Sequence, residues 1–233
     1  MNRWCTTLVQ ERAQAISMMI VVVTSRRPLM WGNVLDNINR QSRKPDALIF
    51  VAHRTNVVPR LMLSTCIGNG IPSTFFRAND SLSYTFAAEQ GFNEAAKLDS
   101  EGMMCNFDDD DFYGKDYLKE IEDLHKVFPS AGIIGKAGYF MWQFGKKVEP
   151  TREGYKDIEP MSIVDWVAGP TISINIKTWI ERPDFRHDHL KPYADAAIIS
   201  VANTFRIPIR TTGDQNFLLQ RYSNKEHKHT WPM

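Results

Sequence analysis

Short, wholly apolar runs recur along the chain, separated by amphipathic stretches. The run Met19-Ile20-Val21-Val22-Val23 is rich in β-branched residues and stops at once against Thr24-Ser25-Arg26-Arg27. That pattern predicts a strand buried on both faces. Pro28 then opens a helical stretch to about Gln41, with Leu29, Val34, Leu35 and Ile38 at helix-compatible spacing. After a Pro45-Asp46 turn, Ala47-Leu48-Ile49-Phe50-Val51-Ala52 reads as a second strand of the same kind. Together these form a βαβ unit, which crosses over right-handedly in a parallel sheet.

The alternation continues with a helix over 58–66, ended by Gly68-Asn69-Gly70, and a short strand over 73–77. A helix over 83–98 carries Phe86, Ala87, Phe92, Ala95 and Ala96 on one face, with Ser83 placed to cap it. A fourth strand follows over 102–107. Strand–helix alternation across the first half implies a doubly wound α/β sheet. The second half is less regular. Residues 133–135 and 139–142 read as strands, 146–160 as a polar loop, and 171–176 as a strand behind Gly169-Pro170. A helix over 195–205, a strand over 207–210 and a basic, histidine-bearing tail over 221–229 complete the pattern. There is no internal repeat and no linker rich in Gly, Ser or Pro. The expected organisation is an extension over 1–17 and one domain over 18–233.

Composition adds mainly exclusions. The 233 residues include 28 Lys+Arg and 27 Asp+Glu, for a net charge of +1, and 43% are hydrophobic. These values exclude disorder and give no general attraction to nucleic acid or membrane. Cys5, Cys66 and Cys105 are far apart and form no Cys-x-x-Cys pair, which argues against a disulfide framework or thiolate metal site. The longest apolar run, 18–23, is far below the roughly 20 residues of a membrane span, and no small-residue cleavage site follows it. A cytoplasmic protein without an integral membrane segment is expected.

The balanced charge hides a local excess: Asp108, Asp109, Asp110 and Asp111 stand together at the end of the fourth strand. Ligands of open α/β sheets bind beyond the carboxyl ends of strands. Adjacent carboxylates flanked by Met104, Phe107 and Phe112 repel one another and call for compensation. A divalent cation supplies it, and oxygen-only ligands suit Mg²⁺ or Mn²⁺, whose shell substrate phosphates commonly complete. Side chains alternate along an extended strand, so Asp108 and Asp110 are expected to face one side, with Asp109 and Asp111 turned elsewhere.

Other readings compete. From Asp109, the spacing also fits part of a Ca²⁺ loop, with Asp111, Gly114 and Glu120 at ligand or turn positions, although Tyr113 replaces an oxygen ligand. A non-enzymatic Ca²⁺-binding module is therefore one alternative. A nucleotidyltransferase is another, but 24–28 lacks the glycines of a phosphate loop. His187-Asp188-His189 reads as a solvated polar loop in preference to a metal site. Lys136 reads as a surface lysine, with phosphate contact as the alternative.

The segment around 83–118 resembles family 2 glycosyltransferases of the GT-A fold. In that family a helix ending in small residues feeds a strand that carries an Asp-x-Asp signature, then an aromatic and a Tyr-Leu. Here these are Asp108, Asp110, Tyr113, Tyr117 and Leu118. The resemblance implies an α/β GT-A-type, Rossmann-like domain with a mostly parallel central sheet flanked by helices. It implies a nucleotide-sugar half over about 18–118 and an acceptor half over about 119–233. The implied activity is metal-dependent, inverting transfer of a sugar from a nucleoside-diphosphate sugar, foremost a UDP-sugar, to an acceptor hydroxyl.

By the same resemblance, Thr24, Ser25 and Arg26 lie near the nucleotide base, and Asp108 with Asp109 at the ribose or diphosphate. Asp110 and Asp108 bind Mn²⁺ or Mg²⁺, with His227 or His229 approaching the diphosphate or metal. Asp195 is the candidate catalytic base and Asp188 its rival. Two departures stand out. Ala52-His53-Arg54-Thr55-Asn56 replaces an acidic turn that grips the base, so the nucleotide stays open. Ala194-Asp195 replaces the usual Glu-Asp pair. The acceptor stays open among glycan, protein and modified nucleic acid, as does the oligomeric state.

Overall fold

The computed structural model describes residues 17–81, 83–143, 151–154, 158–185, 194–213 and 216–221. Its first apolar run forms β1 (Met19–Ser25), buried at every position. Alternate side chains enter two cores: Met19, Val21 and Val23 join one, and Ile20 and Val22 the other. A strand covered on both sides has no face for polar residues, which explains the unbroken apolar run. β2 (Ala47–Ala52) lies parallel to β1 and is also wholly buried, and β3 (Ser73–Arg77) extends the sheet beyond it. β4 (Met103–Phe107) pairs parallel on the opposite side of β1, with Val23 facing Phe107.

The first helices occupy the expected places with shifted ends. Pro28 opens a single 3-10 turn, and α1 then runs Trp31–Arg40. α2 spans Arg60–Gly68, and α3 spans Tyr84–Ala95, where the Ser83 hydroxyl accepts from the Phe86 N–H at 3.3 Å. Trp31, Val34 and Ile38 of α1 fill the first core, whereas Ala87, Phe92 and Ala95 of α3 fill the second. These two helices therefore cover opposite faces of the sheet. α3 packs closely: a Cβ on Gly91 would come within 2.7 Å of Val22 and 2.9 Å of Val51.

The second half begins with β5 (Phe112–Tyr113), α4 (Tyr117–Val127), β6 (Ile133–Gly135), β7 (Gly138–Gln143) and β8 (Thr151–Gly154). β9 (Ile163–Val164), β10 (Ser173–Asn175), α5 (Ile176–Glu181), α6 (Ala194–Thr204), β11 (Ile209–Thr211) and β12 (Phe217–Arg221) follow. The main sheet has eight strands in the order β3-β2-β1-β4-β10-β6-β11-β9, with β10 and β9 antiparallel to their neighbours. A second sheet has the order β5-β12-β7-β8. The expected α/β architecture, a mostly parallel sheet flanked by helices, is present.

The second half also departs from expectation. Residues 146–160, expected as loop, contain β8, a polar edge strand hydrogen-bonded to β7. The strand expected over 171–176 shortens to β10, because Gly169–Thr171 wind into a 3-10 turn. Residues 1–16 of the expected extension over 1–17, and 222–229 of the expected tail over 221–229, lie outside the described residues. Among the described residues, no helix is long and apolar enough to cross a membrane.

Candidate active site

Strand order reverses at β1: β2 and β3 lie to one side and β4 to the other, with α1 and α3 on opposite faces. Such a switch opens a crevice at the carboxyl ends of the central strands. The register of Val23 with Phe107 brings Thr24 and Ser25 abreast of the aspartates that follow β4.

The aspartates do not continue the strand. The chain turns after Phe107 and resumes as β5 at Phe112, so the side-to-side alternation of an extended run does not apply. Carboxylate oxygens of Asp108, Asp110 and Asp111 gather within 4.8 Å of one another. Asp109 instead turns toward β1, is 2% exposed, and accepts from Ser25 Oγ and from Arg27. Arg27 Nε lies 3.2 Å from Asp109 Oδ2, and its Nη1 donates to Asp110 at 2.9 Å. Ser25 Oγ in turn accepts from Trp31 Nε1 at 2.8 Å and from the Arg27 N–H at 3.1 Å.

α1 holds the backbone of this turn. Asn33 Nδ2 donates to the carbonyls of Asp109 at 2.9 Å and Asp111 at 2.8 Å. Asn37 Nδ2 donates to the Asp111 carbonyl at 2.7 Å, and its Oδ1 accepts from the Tyr113 N–H at 3.0 Å. Beneath the turn, the Tyr113 ring lies flat on Phe107 with centroids 3.9 Å apart. The Tyr113 hydroxyl accepts from the Asp108 N–H at 2.8 Å and donates to the Pro170 carbonyl at 2.8 Å. A single hydroxyl thus links the acidic turn to the Gly169–Thr171 turn. β12 closes the far side: the Gly114 N–H donates to the Asn216 carbonyl at 2.8 Å, and Phe217 packs 5.3 Å from Tyr113.

Charge is crowded here. Burial pushes the Asp108 carboxyl up to about 7, reinforced by the charges of Asp110 and Asp109. Asn106 Nδ2, 3.0 Å away, opposes this. Burial also raises Asp109, with Arg27 drawing it back. Burial works to lower the Arg27 guanidinium, but its bonds and charges with Asp109 and Asp110 hold it above its usual value. Three converging carboxylates form a hard oxygen donor set of the kind Mg²⁺ and Mn²⁺ take.

The other expected positions fall in different places. Thr24 is buried, and its carbonyl accepts from the Tyr84 hydroxyl at 2.7 Å. Arg26 is half-buried just past β1. His53, at the end of β2, packs edge-on to Tyr84 with centroids 6.0 Å apart. Asp195 lies in the first turn of α6, which packs against the Gly169–Thr171 turn. Asp188, His187, His189, His227 and His229 lie outside the described residues.

Lys136 corrects both readings offered for it. It is fully buried, neither a surface lysine nor open to phosphate, and its Nζ pairs with Glu120. The other Glu120 oxygen accepts from Asn216 Nδ2. This arrangement weighs against the Ca²⁺-loop reading: Glu120 is held by Lys136 and Asn216, Asp109 by Ser25 and Arg27, and a strand precedes the turn where an EF-hand has a helix. Asn33, Asn37 and Asp111 are the candidate-site residues that sequence reasoning passed over or turned away. For the asparagines, the available signal is their spacing of four on a helix, which puts them on one face.

No family model and no curated protein matches the chain. Solved structures do resemble it. The structure of S. aureus TarS 1–349 in complex with UDP-GlcNAc has a TM-score of 0.66 at 12% identity, covering 92% of this chain and 62% of that one. The mannosyltransferase PcManGT from Pyrobaculum calidifontis, in complex with GDP-Man and Mn²⁺, has a TM-score of 0.59 at 12% identity, covering 92% and 59%. GalNAc-T7 with UDP, GalNAc and Mn²⁺ has a TM-score of 0.63 at 9% identity, covering 91% and 45%. These are GT-A glycosyltransferases, and the chain has their fold. It spans less than two thirds of the length of each.

Proposed function

We propose that the protein is a metal-dependent glycosyltransferase, moving a sugar from a nucleoside-diphosphate sugar, foremost a UDP-sugar, to an acceptor hydroxyl. The carrying observation is the convergence of Asp108, Asp110 and Asp111 within 4.8 Å at the switch point of a GT-A sheet. The UDP-GlcNAc, GDP-Man and Mn²⁺ in the neighbouring structures support the donor and metal classes.

Asp110 and Asp108, joined by Asp111, would hold Mn²⁺ or Mg²⁺, with His227 or His229 approaching from the tail. When bound, the ion offsets negative charge on the diphosphate leaving group. Thr24, Ser25 and Arg26 stand at the end of β1 beside which the nucleotide would sit, and Ser25 is tied to the buried Asp109. The acceptor oxygen attacks the anomeric carbon from the face opposite the diphosphate. The bond from that carbon to the diphosphate oxygen breaks, its electron pair leaves with the nucleoside diphosphate, and configuration inverts. Asp195 takes the acceptor proton, with Asp188 as the rival base. The acceptor is a hydroxyl of a glycan, protein or modified nucleic acid. Cys66 and Cys105 are buried free thiols, in keeping with a reducing, cytoplasmic setting.

Asp110→Ala tests this reading. Mn²⁺-dependent release of nucleoside diphosphate from a panel of nucleotide sugars should fall on the order of 100-fold. Far-UV circular dichroism should stay unchanged. Full activity in that variant would remove Asp110 from the site.

A further inference from the structure

Arg27 has two unlike partners. Asp109 is 2% exposed and fixed by Ser25 as well as by Arg27, so this half of the contact is built into the fold. Asp110 is 16% exposed, meets Arg27 Nη1 at 2.9 Å, and is also one of the three carboxylates that converge within 4.8 Å. The guanidinium therefore shares Asp110 with the position a divalent cation would take. Two cations beside one carboxylate repel each other, and the low dielectric of a partly buried crevice strengthens that repulsion. A diphosphate brings negative charge that offsets both.

We propose that Arg27 couples cation binding to diphosphate binding, an inference that rests on the nucleotide-sugar reading above. Before the ligands arrive, Nη1 holds Asp110. When both bind, Nη1 passes to the diphosphate, while Nε and Nη2 stay on Asp109. A cation alone binds weakly because Arg27 opposes it, and each ligand strengthens the other. The coupling is reciprocal, as linkage requires.

The test is titration calorimetry with Mn²⁺ alone, UDP alone and the two together, repeated with GDP. In the unmodified protein, Mn²⁺ should bind about tenfold more tightly with a nucleoside diphosphate present. In Arg27→Gln, Mn²⁺ alone should bind about tenfold more tightly than in the unmodified protein, and the coupling should shrink below about threefold. Because Arg27→Gln leaves Asp109 buried beside a neutral group, Arg27→Gln/Asp109→Asn carries the same measurement without that burden. Arg27→Lys keeps the charge and should keep weak binding of Mn²⁺ alone. If the unmodified protein binds both ligands and the Gln variants show the same Mn²⁺ affinity and coupling, the role of Arg27 is overturned while the nucleotide-sugar reading stands. If the unmodified protein binds neither Mn²⁺ nor either nucleotide, the nucleotide-sugar reading falls and this inference falls with it.

Discussion

Asp108 keeps its proton well into the neutral range, because burial and the charges of Asp110 and Asp109 raise it from 3.8 to about 7. The sign for stability follows from the acid form being favoured in the folded state. This contribution is fully present below about pH 4 and is lost as pH rises through about 7. In chelator, the melting temperature should therefore fall across that window, and Asp108→Asn should flatten the fall. Thermal melts at several pH values measure it, and an unchanged slope in the variant would refute the assignment. The carboxylate that crowding protonates is also one that a metal needs ionised. The pairings of Arg27, Asn33 and Asn37 escape a reading of neighbours in sequence because the partners lie about 80 residues away, joined only when β1 and β4 pair.

At the scale of elements, β1 and β2 are legible because an unbroken β-branched or apolar run has few fates other than a doubly covered strand. Ala47–Ala52 and Ser73–Arg77 coincide with their expected limits. β8 is hidden because Thr151-Arg152-Glu153-Gly154 has no apolar face and pairs at the edge of the small sheet. β5 and β9 are too short, at two residues each, to carry a period. The aspartates are legible as a cluster, but their partition is not: extended alternation separates Asp111 from Asp110, whereas the turn brings them together. α3 is both readable and demanding. Gly91→Ala would drive a methyl into Val22 and Val51. Overpacking costs about 1–3 kcal/mol, against about 1 kcal/mol that a helix gains from the exchange, so a net loss of about 1 kcal/mol is expected. A lower denaturant midpoint with unchanged slope would show it.

At the scale of the molecule, Glu120 fastens three units together. It projects from α4, holds Lys136 just beyond β6 of the main sheet, and accepts from Asn216 just before β12 of the small one. Glu120→Ala removes the carboxylate from a lysine with no exposure to water, a change that costs about 3–5 kcal/mol. A melting temperature lower by on the order of 10 °C is expected, with Glu120→Gln less affected. A fall of only a degree or two would mean that the Lys136–Glu120 pair does not fasten α4 to the two sheets. The pairing of β12 with β5 also imposes a calendar on synthesis. The ribosome releases β1 to β4 long before Phe217, so a nascent chain can assemble the sheet half while Tyr113 still lacks one of the aromatic rings packed against it. The hydroxyl that ties Asp108 to Pro170 sits on that same ring. The sheet half thus precedes β12 in order of synthesis, and a chain stopped short of Phe217 leaves the Tyr113 ring without that neighbour.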